Sequence, residues 1–243
     1  MRGFPLEEVT EWVIDATRRA SRVVEIKVGL IITLLRHESV ELAEKVAQIA
    51  FDRQDKGIIG IDLAGNEIRF PAGPFKHVFQ EAHRRNMGIT VHAGEAMGSE
   101  SVRSAIEDLH AQRLGHGVRT ADYNFLIDMV KERGIALEMC LISNVQTGAV
   151  ATVKQHPIRK LMNAGVLVTL NTDDPSVSDS DLSNEYIAAV KDLNFSYKDF
   201  RQITLNAAAC AFLPENERQV LINHFKELLP LELPPQANLL PTL

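Results

Sequence analysis

Six short strand-like runs, all but the one at 113–116 largely apolar, separated by stretches whose apolar residues recur at helical spacing, constrain what this chain can fold into more than anything else in it. The runs fall at residues 28–32, 58–63, 89–92, 113–116, 135–140 and 166–170. A strand covered on both faces must be apolar along its whole length, and such strands occur almost only in parallel sheets. Between the runs, Pro5 precedes Leu6, Val9, Val13 and Ala16, and Ser39 is placed to cap a helix carrying Val40, Ala43, Val46 and Ala47. Further helices carry Phe75, Val78, Phe79 and Ala82, then Val102, Ile106 and Leu109 behind a cap at Ser99, then Leu126, Ile127 and Val130. A short helix spans 156–163, and the chain from about residue 181 is mostly helical. Strand–helix–strand repetition implies right-handed crossovers and a parallel α/β sheet. The spacing alone fits a barrel or an open doubly wound sheet.

The chain of 243 residues reads as one domain over 1–243, with no linker, and a tail from about residue 230 that holds four of its 10 prolines. The net charge of -6, with no Lys/Arg stripe, argues against nucleic acid as a partner. Cys140 and Cys210 form no C-x-x-C pair, which points to a reducing compartment. No apolar run approaches the roughly 20 residues of a membrane span, and the start MRGFPLEEV has no apolar signal core. A cytoplasmic protein without a membrane partner is the expectation.

Polar residues collect where the runs end: Asp62 with Gly65, His92 with Glu95, His116, Ser143 with Asn144, and Asp173 with Asp174. In parallel α/β proteins the ligand site lies at that edge. Each has an ordinary explanation. His92 alone is more often a hydrogen-bonded structural residue than a ligand, the glycines flanking His116 can simply make a turn, Asp62 to Glu67 can be a plain turn, and Asp174 before Pro175 is a good helix cap. Five such ends in one chain are harder to explain that way. Two carboxylates after a buried strand are costly without a compensating cation or donor. Together the set offers imidazole and carboxylate donors for a divalent metal and a Glu for proton transfer, which is the equipment of metal-assisted hydrolysis.

The segments Thr90-Val91-His92-Ala93-Gly94-Glu95, Arg113-Leu114-Gly115-His116-Gly117 and Leu170-Asn171-Thr172-Asp173-Asp174-Pro175 resemble the adenosine deaminase family, as do Asp62-Leu63-Ala64-Gly65-Asn66-Glu67 and Ser143-Asn144-Val145-Gln146-Thr147. The resemblance is to its bacterial branch and runs from near residue 5 to about residue 228. It implies a (β/α)8 barrel of the metal-dependent hydrolase superfamily. It also implies zinc-dependent deamination of adenosine and 2'-deoxyadenosine to the inosines and ammonia. By that resemblance His92 and Asp173 match zinc ligands, and Glu95 matches the acid that protonates purine N1. His116 matches the residue that polarises or deprotonates the water that zinc activates. Asp174 matches a residue bonded to that water and to the purine, and Gly65 a backbone N–H donor to purine N3.

The chain also departs from the family, whose first barrel strand carries a His-x-His pair that supplies two more ligands. The histidines are His37, His77, His83, His92, His110, His116, His156 and His224, and no two lie two apart. The resemblance therefore implies an incomplete barrel of about six strands with the first two missing, the C-terminal two-thirds of the family domain. Weak zinc binding, impaired turnover and self-association through two exposed sheet edges are the expected consequences. The alternatives are a deaminase of a related purine (adenine, a methylated AMP, aminodeoxyfutalosine) or a non-catalytic remnant that binds a purine nucleoside. The cytidine deaminase class is disfavoured, because its H-x-E and P-C-x-x-C signature is absent.

Overall fold

All six runs are strands in the computed structural model, which describes residues 3–232. They are β1 Leu30–Leu35, β2 Ile58–Ala64, β3 Gly88–Ala93, β4 Arg113–His116, β5 Ala136–Met139 and β6 Leu167–Leu170. Among the described residues eleven α-helices accompany them. Helices α1 to α6 are Leu6–Val24, Val40–Phe51, Lys76–Arg84, Ser99–Glu107, Asn124–Glu132 and Leu141–Gln146. Helices α7 to α11 are Ile158–Asn163, Pro175–Ser178, Leu182–Leu193, Tyr197–Ala209 and Glu215–Leu228. The strands pair in the order β1-β2-β3-β4-β5-β6, and every pair is parallel. A doubly wound sheet reverses its strand order at a switch point. Here the order never reverses, so right-handed crossovers keep the helices on one side, as in a barrel wall. Among the described residues β1 and β6 are the two edges of this six-stranded arc.

Local chemistry explains where the sequence expectations shift. The first strand lies at Leu30–Leu35 rather than at 28–32, because an edge strand extends only where its one neighbour offers partners, from Leu30 opposite Ile58 to Leu35 opposite Ala64. Ser39 does cap α2, its side chain accepting from the Leu42 N–H. Ser99 is not a cap: Gly98 holds that position, and Ser99 is the first residue of α4. The fifth strand stops at Met139, Cys140 becomes the cap position of α6, and Ser143 and Asn144 therefore sit on a helix rather than at a strand end. The 156–163 helix begins at Ile158. The proline-rich tail lies outside the described residues from residue 233 onward.

The centre of the arc is sealed. Ile61, Val91, Leu114, Leu137 and Val168, one from each of β2 to β6, have no exposed surface. On β1, by contrast, Thr33 and Leu35 are exposed. At the N-terminal mouth the turn after α10 inserts Phe212. A Cβ on Gly88 would fall 2.1 Å from its ring, so the first residue of β3 has to be glycine for the plug to seat. The Arg113 guanidinium stacks on the other side of that ring, 3.6 Å from its centroid. No described helix is long and apolar enough to cross a membrane.

Candidate metal centre

The C-terminal mouth is built differently. β3 delivers His92 as its penultimate residue, β4 ends on His116, and the turn after β6 presents Asp173. One ligand-type atom from each of these three residues lies within 4.8 Å of the others. The two imidazoles are 5.0 Å apart, edge to face. Gly115, opposite His92 in the ladder, makes room for its ring: a Cβ there would sit 2.9 Å from His92 Nδ1. His116 and Asp173 both adopt left-handed backbone, with φ of 65° and 62°. Non-glycine residues held there carry strain on the order of 1–3 kcal/mol, and such positions concentrate at functional sites.

His92 is half-buried, and its Nδ1 meets Asp62 Oδ1 at 3.0 Å, while Thr33 Oγ1 donates to the other Asp62 oxygen at 3.2 Å. Burial alone would pull the His92 pKa down, but the Asp62 carboxylate, aided by Asp173 and Glu138, holds it up to about 9. The pocket thus favours positive charge at this spot. His116 is buried, its Nε2 3.6 Å from Glu95 Oε2 and 3.9 Å from Asp173 Oδ2. Burial lowers its pKa against the pull of Glu95. A cavity of about 210 Å³ opens between His92, His116, Cys140 and Asp173.

Glu95 is fixed from α6: Thr147 Oγ1 donates to its Oε1 at 2.7 Å, and Asn144 Nδ2 approaches the same oxygen at 3.3 Å. Ser143 Oγ donates to Asp173 Oδ2 at 2.6 Å. Helix α6 is itself anchored by the buried Glu185 carboxylate, which accepts from Leu141 N–H at 2.8 Å and Ile142 N–H at 3.2 Å; burial pushes its pKa up. The loop carrying Glu95 wraps around the Glu67 carboxylate, which accepts from the N–H groups of Gly94, Ala96 and Met97 at 2.6, 2.8 and 2.9 Å and from the Ser101 hydroxyl. Arg36 ties the same strand end down, donating to the His92 carbonyl at 2.7 Å and to that of Phe70 at 3.1 Å.

Of the residues singled out from the sequence, His92, His116, Asp173 and Glu95 come together. Asp174 is exposed and caps α8, its carboxylate accepting from the Val177 N–H at 3.3 Å. Gly65, with φ of 105°, lies against Arg36 and His37 at the end of β2. Sequence reasoning missed Glu138, which accepts from Thr90 Oγ1 at 2.7 Å and lies 2.9 Å from Arg113 Nε in an ion pair not aligned as a hydrogen bond. A charge inside an otherwise apolar strand was the available signal. It also missed His156, Glu185 and the buried role of Glu67.

Imidazole and carboxylate groups converge at the C-terminal rim of a parallel barrel wall, with a second carboxyl group beside them, a donor set that could hold a divalent metal. The sequence pattern described as "Adenosine deaminase" matches residues 1–228. The chain belongs to the adenosine deaminase family. It is 41% identical over 220 residues to the adenosine deaminase of Serratia proteamaculans, covering 90% of this chain and 65% of that protein. The identity with the adenosine deaminase of Klebsiella pneumoniae is also 41%, covering 66% of that protein. The chain therefore spans just under two thirds of these relatives. Among solved structures it resembles adenine deaminase from Arthrobacter aurescens, with a TM-score of 0.86, 26% identity, and coverage of 93% of this chain and 69% of that one. It also resembles Arabidopsis ADAL complexed with IMP, with a TM-score of 0.76, 29% identity, and coverage of 84% and 59%.

Proposed function

We propose that this chain carries the proton-transfer side of a zinc-dependent purine deaminase site acting on adenosine and 2'-deoxyadenosine. The observation that carries this reading is the convergence of His92, His116 and Asp173 within 4.8 Å, with Glu95 facing them. The donor set fits zinc, which takes imidazole nitrogen and carboxylate oxygen, and the field that raises His92 to about 9 favours a cation. His92 and Asp173 would hold the ion, which when bound supplies the acidification that turns water into a nucleophile at neutral pH.

The remaining chemistry belongs to the chain. Attack at the carbon bearing the amino group pushes charge onto the adjacent ring nitrogen, so a proton donor must face that nitrogen. Glu95 has one oxygen tied to Thr147 and Asn144 and the other turned toward His116, which suits it to hand over that proton. His116, buried beside it, orients the attacking water. Asp174 and the Gly65 N–H are assigned to holding the purine.

His92 and Asp173, two protein donors, hold zinc less tightly than four, so low zinc affinity and low turnover belong to this proposal for the chain by itself. So does self-association through β1 and β6. The two free cysteines suit a reducing, cytoplasmic setting. A second reading, deamination of a related purine, is favoured by the likeness to an adenine deaminase. Ammonia release measured with zinc present, on adenosine, 2'-deoxyadenosine, adenine and N6-methyl-AMP, separates them. The nucleosides are expected to exceed the others in kcat/KM by roughly tenfold or more. Nucleoside binding with neither zinc uptake nor ammonia release would establish a non-catalytic remnant instead.

A further inference from the structure

The two imidazoles of the site have different partners, and one of them can be traced back to a backbone N–H. The Ile158 N–H donates to His156 Nδ1 at 3.2 Å. A backbone amide is only a donor, so His156 Nδ1 is an acceptor and the ring's proton sits on Nε2. That Nε2–H lies 3.1 Å from Asn144 Oδ1. The amide of Asn144 is thereby oriented, with its oxygen toward His156 and its NH2 toward the site. The NH2 then lies 3.0 Å from His116 Nδ1 and 3.3 Å from Glu95 Oε1. His156 and Asn144 are both buried, Asn144 with no exposed surface, so water does not compete for these bonds.

We infer that Asn144, oriented by His156, is a positioning residue that fixes neutral His116 as the Nε2–H tautomer, so that this ring enters the site as a hydrogen-bond donor and not as a metal ligand. The lone pair that zinc needs is occupied on Nδ1 by the Asn144 amide and replaced on Nε2 by a proton aimed at Glu95 and Asp173. His92 has the opposite arrangement, because the Asp62 carboxylate accepts from its Nδ1, so the proton that a cation would displace is the one on Nε2. Two histidines that are interchangeable by type and distance are thus assigned different work by an amide on one and a carboxylate on the other. What this means for turnover rests on the deaminase reading above; the tautomer itself does not.

Two-bond proton–nitrogen correlation spectra of the 15N-labelled 243-residue chain, at a pH where the ring is neutral and with His116 assigned by its loss in His116→Gln, test the inference directly. In the wild-type protein His116 is expected to show a pyridine-type Nδ1 and a pyrrole-type Nε2, as is His156. Asn144→Asp replaces the donor with an acceptor of the same shape, and should move the His116 proton to Nδ1 while leaving His156 unchanged. Added zinc should shift the His92 ring and leave the His116 Nε2–H in place. A protonated or averaged Nδ1 in wild-type His116, no change in Asn144→Asp, or displacement of the His116 Nε2 proton by zinc would each overturn it. None of these readouts needs turnover, so a protein that releases no ammonia but shows the expected spectra rejects the deaminase reading alone.

Discussion

The two mouths of the sheet arc both turn the chain through left-handed backbone at glycine and non-glycine residues alike, but they differ in what those residues face. Ahead of the strands the role falls to Gly57, Gly134 and Gly165, for which that conformation is unstrained, and equally to Glu25, Asn86 and His110. Behind the strands it falls to His116 and Asp173 as well as to Gly65, Gly94 and Gly117. The mouths also differ in what holds them. The N-terminal mouth is closed by packing, with Phe212 between Gly88 and Arg113. The C-terminal mouth is held by polar partners: Asp62 on His92, Ser143 on Asp173, and Thr147 on Glu95. Only at the C-terminal mouth do left-handed residues present an imidazole and a carboxylate to one cavity, His116 and Asp173. Damage at one mouth should remove chemistry and damage at the other should remove stability.

Substitutions at either end can break that separation. Glu95→Gln should lower ammonia release by about 10²–10⁴-fold, with zinc affinity and melting temperature unmoved; retention of most of the activity would strip Glu95 of its role as acid. Phe212→Ala at the other mouth should cost about 2 kcal/mol of stability, a drop of roughly 4–8 °C in Tm by calorimetry, with zinc affinity unchanged. A large loss of zinc binding in that variant would show that the two ends are coupled. Asp62→Asn keeps the shape beside His92 but removes the charge. It should weaken zinc binding about 10–100-fold by titration calorimetry, with little change in unfolding. The smallest stability effect belongs to Asp174→Ser, which preserves the cap on α8 and so should alter stability by less than about 0.5 kcal/mol. A fall in kcat/KM without unfolding would assign its carboxylate to the substrate rather than to the helix.

Much of this architecture was legible because a strand buried on both faces leaves a largely apolar run. Five strands were placed from such runs, interrupted by single residues such as Asp62 and Glu138, and Arg113–His116 was placed as a short strand between two helices; the largest displacement, on β1, occurs where the strand has only one neighbour. The convergence of His92, His116 and Asp173 was legible because strand ends in a parallel sheet point to one rim. Helix α6 was not: Cys140 makes no side-chain cap bond, and Leu141-Ile142-Ser143-Asn144 continues the apolar strand before it without a break signal. Buried partners such as Glu67, Glu185 and His156 were also hidden. In a chain with 32 acidic residues and eight histidines, those facing inward on helices and loops have the same residue types around them as those facing water. Only three-dimensional proximity to orphan N–H groups reveals their work.

The Glu67 carboxylate has a consequence of its own. Three main-chain amides and the Ser101 hydroxyl of the Glu95 turn converge on a single buried side chain from the preceding βα unit. A turn clasped in this way is no hinged flap waiting to be drawn shut by an arriving molecule. Its carboxyl group already stands facing His116, and none of the affinity for a ligand has to be diverted into assembling the turn.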